Sequence, residues 1–274
     1  MKMAVIGCGL IGGSMALSWK RAGIVDEVIA FGHNPATLQK ALDKGAADTV
    51  TTSMEEAVKD ADIVVSAVPV EAMESVFTEM APFLKSDAVV TDVGSTRQTV
   101  IAAARKGLGD KFHQYAPAHP IAGGEMPGVD YASADLFDEK VVISTPDEGM
   151  DPKVVTFIEE AWRKAGARVQ AMSPLQHDLT FASVSHLPHV LAYALVDMIA
   201  REENAQEKLK MAGAGFRDFT RIASSSPVMW RDICLSNREA LSHELKRYRA
   251  SLDTLQKYID IEGKENMNIL EYAY

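Results

Sequence analysis

The stretch Met3-Ala4-Val5-Ile6-Gly7-Cys8-Gly9-Leu10-Ile11-Gly12 decides the fold of the chain. A short apolar run is followed at once by glycines spaced G-x-G-x-x-G, and a helical pattern comes next. In a strand–turn–helix unit the first glycine permits the turn, the second lets a pyrophosphate approach the backbone, and the third lets the helix pack on the strand. The helix N-terminus adds free N–H groups. The spacing predicts a dinucleotide site, against the alternative of a structural turn. Its expected contacts are Gly7, Gly9, Leu10, Ile11 and Gly12.

Strand and helix patterns alternate through the first 170 residues, which is typical of a Rossmann-type doubly wound parallel sheet in an α/β protein. Strands are predicted near residues 3–6, 27–31, 62–69, 88–93, 140–145 and 167–170. Ligands of such sheets lie beyond the carboxyl ends of the strands. Three residues that end the third of these strands therefore join the predicted cofactor contacts: Ala67, Val68 and Pro69.

The end of the second strand bears on the choice of cofactor. In NAD-binding domains an acid usually ends this strand and binds the ribose hydroxyls. Here the corresponding residues are Gly32, His33 and Asn34, without a carboxylate. A glycine admits a 2′-phosphate and a histidine can contact it, so these residues favour NADP and leave NAD possible. The alternative for His33 is a solvated loop residue.

After Ser173-Pro174 no further strand pattern appears in the sequence. This pair is typical of a helix start, with an N-cap serine and a proline at the first helical position. Helices are predicted at 175–201, 203–213, 217–224, 227–237 and 238–260. We therefore expect a dinucleotide-binding domain over 1–170 and an all-helical domain over 171–274. The last helix carries an apolar stripe that suits a partner subunit as well as the chain's own core, which favours a homodimer.

Composition limits the classes of partner. A net charge of −10 over 274 residues argues against nucleic acid, because phosphate neutralisation needs a basic face. The two cysteines, Cys8 and Cys234, are far apart, which suits a reducing compartment. The chain begins with a strand rather than a signal peptide. No apolar run approaches about 18 residues, so no membrane span is expected. These features predict a soluble cytoplasmic protein.

Several polar residues are candidates for chemistry. Ser95 follows a predicted strand, and either it or Thr96 caps the next helix or its hydroxyl faces the nicotinamide. His119 stands near two prolines in Ala116-Pro117-Ala118-His119-Pro120-Ile121-Ala122-Gly123-Gly124-Glu125, which we interpret as a rigid loop. Histidine takes up a proton near neutral pH, so this loop indicates a general base, although an isolated histidine is more often structural.

The helical domain adds three polar motifs. Ser183-Val184-Ser185-His186-Leu187-Pro188-His189 follows His177, but these residues lack the spacing of a zinc site, so no metal is expected. Arg217 and Arg221 are four apart on one predicted helix face, where they either bind carboxylates or form a solvated surface. A capped helix start with an aromatic residue spans 224–232.

Together these motifs resemble one family, the prephenate/arogenate (cyclohexadienyl) dehydrogenases of tyrosine biosynthesis. The resemblance rests on GCGLIGGS, DVGSTR, HPIAGGE, SHLPH and FRDFTRIASSSPVMWRDI, which occur in the family's order and cover nearly the whole chain. It implies oxidative decarboxylation of prephenate, arogenate or both. Hydride would pass to NAD(P)+, giving 4-hydroxyphenylpyruvate or tyrosine and carbon dioxide.

The resemblance also implies roles for individual residues. His119 would accept the proton of the substrate's ring hydroxyl, Ser95 would hydrogen-bond to this histidine and the same hydroxyl, and Arg221 would bind a substrate carboxylate. The remaining implied substrate contacts are His189, Glu125, Ser185, Asp218 and Trp230. Of these, Asp218 would orient nearby cations, and Trp230 would approach from the other subunit.

Two alternatives stay open, one of them an enzyme and the other not. The first is another two-domain NAD(P) oxidoreductase of the 3-hydroxyacid or imine-reductase kind, against which the HPIAGGE and SHLPH motifs argue. The second is a non-catalytic nucleotide-sensing dimer, which would not need to retain Ser95, His119, His189 and Arg221 together. The sequence does not choose between prephenate and arogenate.

Overall fold

A computed structural model describes residues 1–124 and 126–260 of the chain. Its N-terminal part is built on a six-stranded, fully parallel sheet in the order β3-β2-β1-β4-β5-β6. Three further strands form a second sheet in the order β7-β8-β9. The strands are β1 (Lys2–Ile6), β2 (Glu27–Phe31), β3 (Thr49–Thr51), β4 (Ile63–Ser66), β5 (Val89–Asp92), β6 (Tyr115–Ala116), β7 (Ala118–Pro120), β8 (Val141–Ser144) and β9 (Arg168–Ala171).

Helices connect the strands and then make up the whole described C-terminal part. Those of the N-terminal part are α1 (Leu10–Arg21), α2 (Pro35–Asp43), α3 (Met54–Val58), α4 (Met73–Met80), α5 (Gln98–Leu108) and α6 (Pro152–Lys164). Those of the C-terminal part are α7 (Pro174–Phe181), α8 (Leu187–Ala200), α9 (Ala205–Lys210), α10 (Ala214–Thr220), α11 (Pro227–Ser236) and α12 (Arg238–Asp260). The predicted Rossmann-type sheet followed by a helical domain is confirmed.

Two hydrophobic clusters, one on each face of the parallel sheet, hold the N-terminal part together. One cluster contains Trp19 of α1 and Trp162 of α6, whose rings meet edge to face at 5.6 Å. The other contains Phe77 of α4 and Tyr115 of β6 at a similar separation. Because both faces are covered, β1 and β4 are almost wholly buried. The strand order reverses between β1 and β4, which is where doubly wound sheets bind ligands.

The second sheet differs from the predicted arrangement in two ways. Strands β8 and β9 do not extend the parallel sheet, and His119 lies in a strand rather than in the predicted loop. Strand β7 runs antiparallel to β8, with His119 opposite Ile143. The prolines on either side of His119 are compatible with this position because β7 is an edge strand that pairs through one side only.

Helix boundaries follow the predictions with local exceptions. Ser53 and Ser173 are N-caps, each accepting a backbone N–H three residues ahead. The predicted caps of α5, Ser95 or Thr96, are wrong: Arg97 is the N-cap residue, and no side chain of its own segment caps the helix. The helix predicted at 217–224 begins at Ala214, and a 3₁₀ turn replaces it from Arg221.

The segment that joins α7 to α8 is a π-helical turn, Ala182–His186. Counted as one helix, Pro174–Ala200 has a mean hydropathy of 1.4 over an 18-residue window, of which 22% is buried. By length and composition alone it could cross a membrane, although no uninterrupted apolar run within it approaches about 18 residues. The window keeps this mean hydropathy despite the polar residues that interrupt it. Its exposed apolar side chains include Leu175, Leu179, Val184 and Met198.

Candidate active site

The glycine turn between β1 and α1 has the shape of a phosphate cradle. A Cβ on Gly7, whose φ is +93°, would lie 2.7 Å from the Ala67 carbonyl oxygen, and one on Gly12 would lie 2.5 Å from the Gly7 carbonyl oxygen. A Cβ on Gly9 would meet no atom within 4 Å, so the space above that residue is open. No side chain caps α1, which leaves its first backbone N–H groups available to an anion. The turn therefore fits a dinucleotide pyrophosphate.

The residues after β2 lie where an adenosine ribose would be expected. His33 is exposed and its ring packs edge-on against Phe31 at 5.2 Å. Asn34 caps α2, because its side-chain oxygen accepts the Ala36 N–H at 2.9 Å. Gly32 leaves the site open except toward Leu38. These residues lie where they can contact a cofactor. Their conformations are also accounted for by contacts within the chain, so the structure does not require a cofactor role for them.

The loop that follows β7 brings the His119 strand back to the glycine turn. A Cβ on Gly124 would lie 3.3 Å from Leu10, the first residue of α1, and one on Gly13 would lie 2.9 Å from Val129. His119 is partly exposed on β7, only five residues before Gly124. Glu125, the predicted acid of this loop, lies outside the described residues.

A chain of hydrogen bonds runs inward from His119. Its Nδ1 is 2.7 Å from Nε2 of His177, and Nδ1 of His177 is 2.9 Å from the Asp178 carboxylate. His177 and Asp178, both at the middle of α7, are at most 1% exposed. Phe181, one turn further along α7, stacks on the His177 ring at 4.4 Å and lies 5.1 Å from the His119 ring. This arrangement holds the His119 ring between the two domains.

The Asp178 carboxylate is fully engaged. Besides His177, it accepts the backbone N–H groups of Arg97 and Gln98 at 2.8 and 2.9 Å. Burial acts to raise the pKa of Asp178, but the hydrogen bonds from His177 and from these two amides outweigh it and lower the pKa. Asp178 is therefore ionised at neutral pH, and it supplies the cap of α5 that Ser95 and Thr96 were expected to provide.

A buried ion pair supports the same region from the nucleotide-binding side. The Arg97 guanidinium forms a two-pronged bridge to Asp92, at 2.8 and 3.1 Å, and both side chains are fully buried. Tyr115 donates its hydroxyl to the same carboxylate at 2.7 Å. Arg97 also donates to the carbonyl of Ala118, the residue before His119, at 3.4 Å. The strand carrying His119 is therefore tied to the end of β5.

The histidines of the site are held neutral. Burial lowers the pKa of His119 well below its usual value, and the charges of His177, Arg97 and His186 act in the same direction. Burial also lowers the pKa of His177, against the hydrogen bond to Asp178. The pKa of His186 falls to about 4, again chiefly through burial. A neutral imidazole is the form that accepts a proton.

A second group of residues lies around His189 at the start of α8. Its Nδ1 is 2.9 Å from the Ser185 carbonyl in the π-helical turn, and its ring stacks on Trp230 at 3.5 Å. Burial and the nearby Arg221 charge lower the pKa of His189. The 3₁₀ turn that starts at Arg221 packs against α8. Trp230 thus contacts His189 of its own chain, which differs from the expected approach from the other subunit.

The structure separates the remaining predicted residues. Ser95 is partly exposed beside the buried Thr96–Arg97 pair; Nδ1 of His119 is bonded to His177 instead of to this serine. Ser185 contributes its carbonyl to His189. Asp218 is exposed on α10, and Arg221 lies one turn beyond, on the 3₁₀ segment rather than on a shared regular helix.

Sequence reasoning missed the buried polar residues behind the site. His177 was considered only as a metal ligand, and Arg97 and Asn237 were not singled out. Asn237 donates to the Asp178 carbonyl at 2.7 Å and to Nδ1 of His186 at 3.2 Å. The available signal was the adjacent His-Asp pair in the middle of a short helix. Within the two described ranges, no three His, Cys, Asp or Glu side chains are grouped closely enough to hold a metal ion.

A dinucleotide cradle, a neutral histidine on the strand whose following loop returns to that cradle, and a helical second domain are typical of a nucleotide-dependent oxidoreductase. Sequence comparison identifies the family within this class of oxidoreductases. Residues 15–171 match the family profile described as prephenate dehydrogenase, nucleotide-binding domain, and residues 173–272 match prephenate dehydrogenase, dimerization domain. The chain belongs to the prephenate/arogenate/cyclohexadienyl dehydrogenase family, and it is a homodimerising, NAD(P)-dependent enzyme of tyrosine biosynthesis, as the sequence predicted.

Individual relatives are similar over most of their length. The chain is 37% identical to cyclohexadienyl dehydrogenase of Zymomonas mobilis, covering 94% of this chain and 88% of that protein. It is 35% identical to prephenate dehydrogenase from A. aeolicus, solved with hydroxyphenyl propionate and NAD+, with a TM-score of 0.93 over 100% of this chain and 96% of that one. Synechocystis arogenate dehydrogenase is 27% identical, with a TM-score of 0.81, covering 100% and 97%.

Proposed function

We propose that His119 is the general base of an oxidative decarboxylation that converts prephenate, arogenate or both to 4-hydroxyphenylpyruvate or tyrosine. The observation that carries this proposal is the position of His119. Its loop returns to the glycine turn at Leu10, and its ring is neutral, with Nδ1 occupied by His177. Its Nε2 is consequently the ring nitrogen left to face a substrate hydroxyl.

His119 is proposed to accept the proton of the hydroxyl on the substrate ring. The nicotinamide, when bound, accepts the hydride from the carbon that carries this hydroxyl. Nε2 of His119 draws the hydroxyl proton, which supports departure of the hydride and leaves a ring ketone. The electron pair of the bond to the ring carboxylate then completes the aromatic ring as carbon dioxide leaves, and His119 returns the proton to the phenolate oxygen of the product. Ser95, at the end of β5, is proposed to hydrogen-bond to the same hydroxyl.

The second group of residues is proposed to hold the rest of the substrate. Arg221 binds a carboxylate, because a guanidinium forms two parallel hydrogen bonds to that group. His189 lies beside Arg221, and Trp230 fixes the plane of the His189 ring. The other residues proposed to line the substrate side chain are Glu125, Ser185 and Asp218. An acid in this part favours the amino group of arogenate over the keto group of prephenate.

The cofactor proposal rests on the glycine turn and the end of β2. Gly7, Gly9, Leu10, Ile11 and Gly12 bind the pyrophosphate, with Ala67, Val68 and Pro69 beneath the nicotinamide half. Residues 32–37 contain neither an acid nor a lysine or arginine. Nothing in that turn therefore repels a 2′-phosphate, and we expect NADP+ to be accepted at least as well as NAD+. The A. aeolicus structure contains NAD+, so a preference for NADP+ stays a prediction.

The homodimer is proposed to form through the apolar surface of the helical domain. Leu175, Leu179 and Val184 are between 49% and 67% exposed on α7 and the π-helical turn. On α12 only Leu241 is buried, while Leu252 and Ile259 are exposed. A partner subunit would remove this apolar area from water. We place the enzyme in the cytoplasm, since both cysteines are free and no nucleic-acid or membrane partner is needed.

The experiment is a matrix of initial rates followed at 340 nm. Prephenate and arogenate are each combined with NAD+ and with NADP+, using dimeric protein verified by size-exclusion chromatography and circular dichroism. We expect turnover with at least one acid, and NADP+ rates no lower than those with NAD+. Folded dimer without turnover in all four combinations would reject the dehydrogenase and favour a nucleotide sensor.

A further inference from the structure

The hydrogen-bond chain behind His119 has a direction that the chemistry of its members fixes. A carboxylate only accepts hydrogen bonds, so the contact from Asp178 at 2.9 Å requires a proton on Nδ1 of His177. A neutral His177 then has a lone pair on Nε2. The 2.7 Å contact to His119 consequently requires a proton on Nδ1 of His119. The remaining lone pair of His119 is therefore on Nε2.

We propose that His177 is a positioning residue that selects the catalytic tautomer of His119, with Asp178 setting the tautomer of His177 in turn. The inference rests on the proposed role of His119 as base. Without His177, no other hydrogen bond among the described residues selects one tautomer of neutral His119, and the form with its proton on Nε2 cannot accept the hydroxyl proton. The arrangement follows the logic of a nucleophile–histidine–carboxylate triad, in which the buried acid selects the imidazole tautomer.

Neighbouring residues also restrain the geometry of the His119–His177–Asp178 hydrogen bonds. Phe181 stacks on His177 at 4.4 Å and restrains its ring plane. The Asp178 carboxylate is held by the amides of Arg97 and Gln98, so it cannot rotate away from His177. Asp178 also caps α5, which makes it a poor target for mutation because its loss would disturb the fold. His177 has no such second duty among the described contacts.

The test uses two polar substitutions of similar size at His177. In H177Q the side-chain oxygen reaches about as far as Nε2 and can accept the Nδ1–H of His119. In H177N the amide ends near the position of Nδ1, so it contacts Asp178 but not His119. We expect H177N to lower kcat at least about 10-fold, because part of His119 then carries its proton on Nε2 and the ring also loses the hydrogen bond that positions it. H177Q should stay within about threefold of wild type, and both should keep the substrate KM within about threefold.

The controls separate this inference from the proposed function. Wild-type turnover is measured first, together with H119N, which keeps a donor toward His177 but lacks a base. An inactive wild type rejects the proposed function, whereas an active wild type with inactive H119N upholds it. Given that result, equal kcat losses in H177Q and H177N, or wild-type kcat in H177N, would overturn the positioning role. Should H177N fail to fold, H177F, which keeps the stacking on Phe181 and removes the acceptor, is compared with H177Q by the same criteria.

Discussion

The buried histidine His186 should make the free protein sensitive to mild acid. Its ring is 1% exposed, and burial lowers its pKa from 6.5 to about 4. The unfolded chain therefore takes up a proton below pH 6.5 that the folded chain takes up only near pH 4. Because the unfolded state binds the proton more readily in this window, stability is highest above pH 6.5 and falls as the pH drops.

The size of the effect follows from the pKa values of His186 in the folded and unfolded chain. Each tenfold difference in proton affinity between these states corresponds to about 1.4 kcal/mol, so His186 alone removes about 2 kcal/mol of the free energy of unfolding between pH 7 and pH 5. Burial likewise lowers the pKa of His119, His177 and His189, and these residues add to the loss. Between pH 7 and pH 5 the wild-type protein should therefore lose more free energy of unfolding than His186 alone accounts for.

The assay is urea unfolding at pH 7 and pH 5, followed by far-UV circular dichroism at one fixed protein concentration. In H186N the amide oxygen replaces Nδ1 as acceptor of the Asn237 N–H, which is 3.2 Å away in the wild type. The variant keeps this hydrogen bond but cannot take up the proton. The decrease in its free energy of unfolding between pH 7 and pH 5 should be smaller than that of wild type by about 2 kcal/mol. Equal losses in the two proteins would refute the reasoning.

Three further predictions concern catalysis and binding. R221A should raise the KM for prephenate or arogenate at least about 10-fold in steady-state assays while kcat changes little, because Arg221 binds ground and transition states alike; a purely kcat effect would contradict this. G9A should raise the KM for the dinucleotide at least about 10-fold with little change in Tm, because its Cβ meets no protein atom within 4 Å and enters the space of the pyrophosphate. G12A, whose Cβ would lie 2.5 Å from the Gly7 carbonyl oxygen, should lower Tm as well. Finally, kcat/KM should stay level from pH 8 to below pH 6.5, because burial and the charges of His177, Arg97 and His186 hold down the pKa of His119; an acid limb at or above pH 6.5 would contradict this assignment.

The sequence predicted the parts of the molecule that depend on local rules. The glycine turn was recognisable because Gly7 and Gly12 sit where a Cβ would collide with the backbone. The alternation of apolar strands with helices likewise follows from burial of the sheet on both faces. Ser173 was found as a cap since an N-cap bonds to a residue only three positions ahead.

Other features depend on contacts that no local pattern records. His119 was taken for a loop residue because its strand exists only through pairing with β8, more than 20 residues later. Asp178 caps a helix that begins 80 residues earlier, so no capping motif was present to find. The His177 contact joins side chains 58 residues apart on β7 and α7, so no pattern within either segment records it. Long-range partners of this kind become visible only in the folded chain.

The central claim is that His119 is the base, and the most direct measurement is kcat of H119N. The assay uses the better acid of the substrate matrix at saturation with its better dinucleotide, and binding of that dinucleotide is titrated separately. If His119 is the base, kcat of H119N falls about 100-fold or more below wild type, with the dinucleotide Kd within about threefold. A kcat close to that of wild type, in a variant that still binds the dinucleotide, would show that His119 is not the base.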